Sequence, residues 1–346
     1  MAGDADRLES GRRWLITGGC GFIGRHVVAE LCRRDVERVV VLDDLSVGTR
    51  DDLDRAVPPG DLGDDASARV QLVVGDIRDE ATCRKVAEGM DVVVHLAAQT
   101  GVPVSVESPL VDCELNVVGL LNVLEASRQA ETKRFIFASS GAPAGDAQPP
   151  ISETTLPKPR SPYGASKLAG EAYCRVYHAT FGLETIALRF GNVYGPLSGH
   201  KTSVVAKFIR QALAGESLEI YGDGSQTRDY IYVCDLVEAI LAAATVPGIG
   251  GELFQVATGA ETDVGTLAEW LADALETAGI TRPRIDHAAE RLGDVQRSVA
   301  DTSKSLDVLG WSARTGLKDG LEATVKCALE SASAATNTPG AIDSGG

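Results

Sequence analysis

The stretch Arg13-Trp14-Leu15-Ile16-Thr17-Gly18-Gly19-Cys20-Gly21-Phe22-Ile23-Gly24 runs from an apolar segment straight into a glycine-rich turn. From His26 to Arg33 the apolar residues recur with helical spacing, and a second apolar run follows from Arg38 to Leu42. Strand, glycine turn, helix and strand in that order make the opening unit of a doubly wound parallel sheet. Further strands are predicted at Val70 to Val74, Val92 to Leu96, Arg134 to Ala138 and Thr185 to Phe190, with helical stretches between them. Parallel strands joined this way need helices on both faces, so the fold class is α/β.

After Tyr194-Gly195-Pro196 the elements shorten. A helix from Ser203 to Ala214, the turn Gly222-Asp223-Gly224 and a helix from Asp235 to Ala244 suggest a smaller C-terminal α/β lobe that faces a substrate. The predicted organisation is a disordered tail over 1–12, a Rossmann-like nucleotide domain over 13–190, a mainly substrate-binding lobe over 191–329 and a disordered tail over 330–346. The segments Ile231 to Val233 and Glu252 to Val256 are candidates to return to the large sheet.

Gly18-x-x-Gly21-x-x-Gly24 stands between strand and helix, which makes a weak pattern informative. Its glycines let the backbone, including Phe22 and Ile23, approach a pyrophosphate at a helix N-terminus, where free N–H groups favour an anion. Asp43 ends the second strand roughly twenty residues past the loop, where a carboxylate accepts from ribose hydroxyls. It also repels a 2′-phosphate, so the expected cofactor is NAD rather than NADP. Asp76 and Ile77 end another strand, where they read equally as groups that pair with and cover an adenine or as a strand-terminal turn. Leu96, Ala97 and Ala98 are small or apolar enough to let the next strand end lie along a dinucleotide. His95, at the end of an apolar run, reads as a core histidine rather than a catalyst.

In Ser161-Pro162-Tyr163-Gly164-Ala165-Ser166-Lys167, a tyrosine and a lysine lie one helical turn apart. A phenol titrates at about pH 10, so Tyr163 serves as a base only where something stabilises its phenolate. The Lys167 ammonium on the same face is the expected stabiliser. The pair points to redox chemistry on a hydroxyl.

The chain of 346 residues is 44% apolar and carries a net charge of −16, which argues against a nucleic-acid or anionic-membrane surface. Its seven cysteines are scattered and never in a Cys-x-x-Cys spacing, so they read as reduced thiols of a cytoplasmic protein, with no metal site. No signal peptide and no membrane-spanning run is expected.

Together, Thr17 to Gly24, Asp43, Gly75-Asp76-Ile77, His95-Leu96-Ala97-Ala98, Ser139-Ser140, Tyr163-x-x-x-Lys167 and Arg189-Phe190-Gly191-Asn192-Val193-Tyr194-Gly195-Pro196 resemble the extended short-chain dehydrogenase/reductases. Within them, the run from Gly222 to Tyr230 is similar to that of the nucleotide-sugar epimerases and dehydratases. The resemblance spans roughly residues 13 to 315. It implies that Asn116 touches NAD and that Ser140 bridges Tyr163 and a sugar. Asn192, Arg228, Arg291 and Asp294 would then hold the nucleotide diphosphate of a UDP-sugar. Tyr163 would take the proton of the sugar 4-hydroxyl while the 4-hydride passes to NAD, and return of the hydride to the other face would give the 4-epimer.

The related dehydratases place an Asp-Glu pair directly after the hydroxyl residue, whereas here Gly141 and Ala142 follow Ser140. Decarboxylases usually carry a Glu in the same segment, which is also missing. Family members commonly read Ser-Ser-Ala-x-Val-Tyr-Gly through this loop, and this chain has no tyrosine there. Ser298 falls where a bulky tyrosine would restrict the pocket, so UDP-GlcNAc and UDP-GalNAc are expected beside UDP-glucose and UDP-galactose. His200 and Lys201 instead suggest UDP-glucuronate, and a net dehydrogenase acting on the same substrates is another alternative. A non-catalytic NAD-sensing protein predicts loss of Ser140, Tyr163 or Lys167, and all three are present. The resemblance also implies a homodimer through the segments Pro109 to Arg128 and Gly164 to Thr180.

Overall fold

A computed structural model describes residues 12–34, 36–199, 201–290 and 295–336. Its strands are β1 (Arg13–Thr17), β2 (Arg38–Asp43), β3 (Leu62–Gly63), β4 (Val70–Val74), β5 (Val92–His95), β6 (Arg134–Ser140) and β7 (Glu184–Phe190), then β8 (Asn192–Tyr194), β9 (Leu218–Tyr221), β10 (Thr227–Arg228), β11 (Tyr230–Tyr232), β12 (Leu253–Val256), β13 (Thr262–Asp263) and β14 (Ile285–Ala288). Eight of them form one parallel sheet in the order β12-β7-β6-β5-β1-β2-β4-β3. The order reverses between β1 and β5, so the C-terminal ends of these two strands flank a crevice, the usual ligand position in such sheets.

Side chains alternate between the two faces of the sheet. Trp14, Ile16, Val39 and Val41 pack toward the helices Phe22–Arg33 and Val233–Thr245. Leu15, Val40 and Leu42 pack toward Glu80–Ala87, Leu120–Gln129 and Pro162–Phe181. The strands read as continuous apolar runs because both faces are covered. A third core, built around Phe208, Leu218, Leu267 and Leu321, belongs to the smaller lobe.

Three expectations about the second half change. The helix predicted at Asp235 to Ala244 spans Val233–Thr245 and lies on the large sheet, not in the smaller lobe. It is apolar almost all round, with Leu236, Ala239 and Ile240 fully buried, and such a helix needs cover on several sides. Of the two candidate returning segments, β12 joins the large sheet beside β7, whereas β11 pairs with β8 just beyond it. The last helix runs from Leu317 to Thr336, so the C-terminal tail begins later than residue 330. The remaining tail residues, 1–11 and 337–346, lie outside the described residues.

One buried ion pair locks the site-bearing helix Pro162–Phe181 onto the sheet. Glu171 accepts 2.7 Å bonds from Arg189 Nε and Nη2 on β7 and a 2.6 Å bond from the Ser139 hydroxyl on β6. The two side chains are only 2% and 8% exposed, so removing either partner leaves a charge stranded away from water. Arg189→Leu is therefore expected to cost about 3–5 kcal/mol. The measurement is the urea midpoint of the purified variant; a midpoint equal to that of the parent would show that the pair does not lock the helix.

Candidate active site

The glycine turn is shaped by close backbone approach. Gly18 has a φ of +72°, and a Cβ on it would lie 2.7 Å from the Ala97 nitrogen at the end of β5. A Cβ on Gly24 would lie 2.2 Å from the Gly18 carbonyl oxygen, so the helix can start this close to the strand only with glycine there. Gly21 is the N-cap of the helix Phe22–Arg33, whose first turn carries neither a side-chain cap nor an acidic residue. Its leading N–H groups and positive dipole end are left for an anion.

Asp43 is tied into the same turn. Its Oδ2 accepts from the Cys20 N–H and its Oδ1 from the Leu45 N–H, both at 2.9 Å. Burial pushes its pKa up while the two N–H groups pull it down. Each oxygen keeps a lone pair, enough for two ribose hydroxyls. The uncapped helix, the cradle that a Cβ would fill and this carboxylate fit NAD. Leu96 and Ala97 are fastened to β1, through the Leu96 N–H to the Thr17 carbonyl at 3.1 Å and the Ala97 N–H to the Thr17 hydroxyl at 3.3 Å. Leu96, Ala97 and Ala98 remain half-buried along the crevice.

Asp76 and Ile77 are placed less simply. The Asp76 carboxylate accepts from the backbone and guanidinium of Arg78, and Ile77 is buried against Gly119 rather than open to a ligand. His95 is core, as read: it is fully enclosed, lies 2.9 Å from the Thr17 hydroxyl, and burial followed by the Lys167 charge lowers its pKa to about 3.

Ser161 caps the catalytic helix by accepting from the Gly164 N–H at 3.1 Å, and Pro162 fills the first helical position. The helix start therefore sets where Tyr163 and Lys167 stand. Lys167 is 3% exposed; its Nζ donates to the Ala138 carbonyl at 2.8 Å and lies 5.8 Å from the centre of the Tyr163 ring. Burial pulls its pKa down to about 8, against the upward pull of Asp112, Cys174 and Glu171.

Burial raises the pKa of Tyr163, the Ser140 hydroxyl lowers it, and Asp112 adds to the rise. Ser140 Oγ also accepts from the Ala142 N–H at 3.2 Å, which holds it at the end of β6.

Asn116 lies in a π-helical turn, Glu114–Gly119, and its amide is taken up by protein. Oδ1 accepts from the Gln99 N–H at 2.9 Å, and Nδ2 donates to the Gln99 carbonyl at 3.0 Å and to Asp112 at 2.8 Å. It thus clamps the loop after Ala98 instead of presenting a free amide to the cofactor.

On the substrate side, Asn192 is exposed at the start of β8, with its N–H on the Asp229 carbonyl at 2.8 Å. Arg228 Nη1 donates to the Thr227 and Val295 carbonyls at 2.8 and 2.6 Å. Ser298 is half-buried in the strip that follows Val295. Arg291, Asp294 and His200 lie outside the described residues.

The sequence reading missed Asp112 and Glu171 and gave no separate role to Thr17 and Asp229, which lie within the motifs quoted above. Asp229 is 2% exposed, and its carboxylate accepts from the Thr258 N–H, the Thr258 hydroxyl and the Gly259 N–H at 2.6–2.9 Å, so it anchors the strand next to Arg228. Its place directly after Arg228 was the available signal.

The profile described as the NAD dependent epimerase/dehydratase family matches residues 14–257, and the chain belongs to that family. The UDP-glucose 4-epimerase of Mycolicibacterium smegmatis is 37% identical, over 91% of this chain and 97% of its own. The UDP-glucose 4-epimerase of Thermotoga maritima, solved with UDP-glucose, is 35% identical and superposes with a TM-score of 0.82, covering 92% of this chain and 99% of its own. The UDP-N-acetylglucosamine 4-epimerase of Methanobrevibacter ruminantium, solved with UDP-N-acetylmuramic acid, gives 33% and 0.84, over 93% and 99%. A dTDP-glucose 4,6-dehydratase of Xanthomonas campestris is also similar, at 33% identity over 90% of this chain and 92% of its own. The cofactor of this family is NAD.

Asp43→Ala removes the charged acceptor at the ribose position. It is expected to weaken NAD binding by about 10-fold or more and to narrow the preference for NAD over NADP. Calorimetric titration of the cofactor-stripped protein with each dinucleotide checks this, and an unchanged ratio of the two affinities would remove Asp43 from the selection.

Proposed function

We propose that this chain is an NAD-dependent nucleotide-sugar 4-epimerase acting on UDP-glucose/UDP-galactose and, with Ser298 in place of a bulky side chain, on UDP-GlcNAc/UDP-GalNAc. One observation carries the choice. Ser140, Tyr163 and Lys167 gather at the end of β6, and the residues after Ser140 are Gly141 and Ala142, which cannot move a proton. That set supports oxidation and reduction at one carbon, without elimination of water from the sugar.

When bound, NAD supplies the acceptor and then the donor of the C4 hydride. The Tyr163 oxygen takes the proton of the sugar 4-hydroxyl, directly or through the Ser140 hydroxyl, and gives it back in the second half of the reaction. Burial and Asp112 oppose a phenolate at Tyr163 and the Ser140 hydrogen bond favours it, while the Lys167 ammonium and the positive nicotinamide of bound NAD would stabilise it together. Arg228, with Asn192, Arg291 and Asp294, is assigned to the nucleotide diphosphate, since a guanidinium makes charge-assisted bonds to phosphate.

A second reading, UDP-glucuronate, rests on Lys201. Its Nζ lies 5.0 Å above the Phe22 ring, and burial lowers its pKa to about 8.

The protein is expected to act in the cytoplasm as a homodimer. Leu110 (80% exposed), Val118, Val176 and Phe181 leave apolar surface on the helices around 109–129 and 162–181, which supports a second copy packing there. Light scattering after size exclusion should give the mass of two chains, and Leu110→Asp together with Val176→Asp should give one. A parent protein that runs as a monomer at micromolar concentration would end the dimer assignment.

To test the reaction, the purified protein is incubated without added NAD with UDP-galactose, UDP-GalNAc or UDP-galacturonate, and the products are resolved by chromatography. Formation of the matching 4-epimer is expected with the first two. A 4-keto product, or NADH accumulating once NAD is supplied, would overturn the epimerase reading. Tyr163→Phe should lower the turnover number by about 10²–10⁴-fold while leaving UDP-sugar binding intact.

A further inference from the structure

Asp112 is a buried carboxylate in the helix Pro109–Cys113, 1% exposed, and the reaction above makes no use of it. Its Oδ1 accepts from Asn116 Nδ2 at 2.8 Å. That bond settles which way the Asn116 amide points. A carboxylate only accepts, so the nitrogen must face Asp112, and the oxygen is left for the Gln99 N–H at 2.9 Å. The same nitrogen reaches the Gln99 carbonyl at 3.0 Å and the Ser166 hydroxyl at 3.4 Å. Ser166 in turn donates to the Tyr163 carbonyl at 3.0 Å. Asp112 therefore stands at the root of a buried chain that ties the cofactor-side loop to the first turn of the catalytic helix.

Its charge matters as well. Asp112 acts electrostatically on both Tyr163 and Lys167 and favours the protonated form of each. The other groups facing this cluster are accounted for. Ser140 approaches Tyr163 from β6, Glu171 and Cys174 act on Lys167 from its own helix, and His95 lies near Lys167 from β5, held neutral by burial. Glu107, Cys113 and Glu114, on and beside the helix that carries Asp112, are exposed.

We propose that Asp112 is a positioning residue for the hydride-transfer site. It fixes the Asn116 clamp on the Gln99 loop, joins it through Ser166 to the first turn of the helix that carries Tyr163, and supplies a buried negative charge against the Lys167 ammonium. The proposal deepens the epimerase reading and, for its link to turnover, rests on it.

Asp112→Asn keeps an acceptor for Asn116 and removes the charge, and Asp112→Ser does the same in a smaller volume should the first variant fold poorly. The titration of Tyr163 is followed by tyrosinate ultraviolet absorbance on NAD-loaded protein without any sugar, with Tyr163→Phe marking its contribution. In both variants the midpoint is expected to fall by about half a pH unit. Both limbs of the pH–rate profile should move the same way, because loss of a negative charge favours the deprotonated form of each group. A midpoint identical to that of the parent in the folded variants would overturn the proposal. A shifted midpoint in a protein that forms no 4-epimer from any sugar would support the role of Asp112 and overturn only the epimerase reading.

Discussion

The Lys167 ammonium is buried with the Ala138 carbonyl as its hydrogen-bond acceptor, and much of the site is arranged around keeping it there. A buried cation is costly unless fixed dipoles and negative charges surround it. Ala138 supplies the dipole from the end of β6, while Asp112 and Glu171 supply charge from two helices. Glu171 is also bound to Arg189 and Ser139, so the group that supports Lys167 is itself locked to two strands of the sheet.

The cofactor side rests on a different constraint, the distance between backbones. Gly18 and Gly24 have no room for a Cβ, so β1, the turn and the first helix approach more closely than other residues would allow. The result is a helix end without a cap, aimed at the crevice where the strand order reverses. Arg25 on that helix donates to the Leu197 carbonyl at 2.6 Å, which ties the cradle to the loop that leads into the smaller lobe. One buried side chain thus joins the nucleotide turn to the start of the smaller lobe.

Much of this was legible in the chain itself. Six strands of the large sheet appear as apolar runs, the glycine turn, Asp43 and Ser140 stand at strand ends, and Tyr163 and Lys167 stand one turn apart in the helix Pro162–Phe181. Less legible were residues whose meaning depends on what they meet. Asp112 looks like one acid among 49 acidic residues until the fold closes over it. Asn116 carries its role in Gln99, which no local pattern pairs with it. The helix Val233–Thr245 was assigned to the wrong lobe because its apolar composition says that it is buried without saying against what.

The sequence by itself determined the alternation of strand and helix, the nucleotide turn and the chemical identity of the catalytic groups, because these depend on local period, on backbone freedom at glycine and on functional groups that need no partner to be recognised. Only the tertiary structure decided the protonation tendencies of those groups. Tyr163 is raised by burial and lowered by Ser140, while Lys167 is lowered by burial against the charges of Asp112 and Glu171. The physical reason is that a pKa reports desolvation and the charges within a few ångströms, and those neighbours come from β6, from Asp112 and from Glu171, elements brought together only when the sheet and its helices pack.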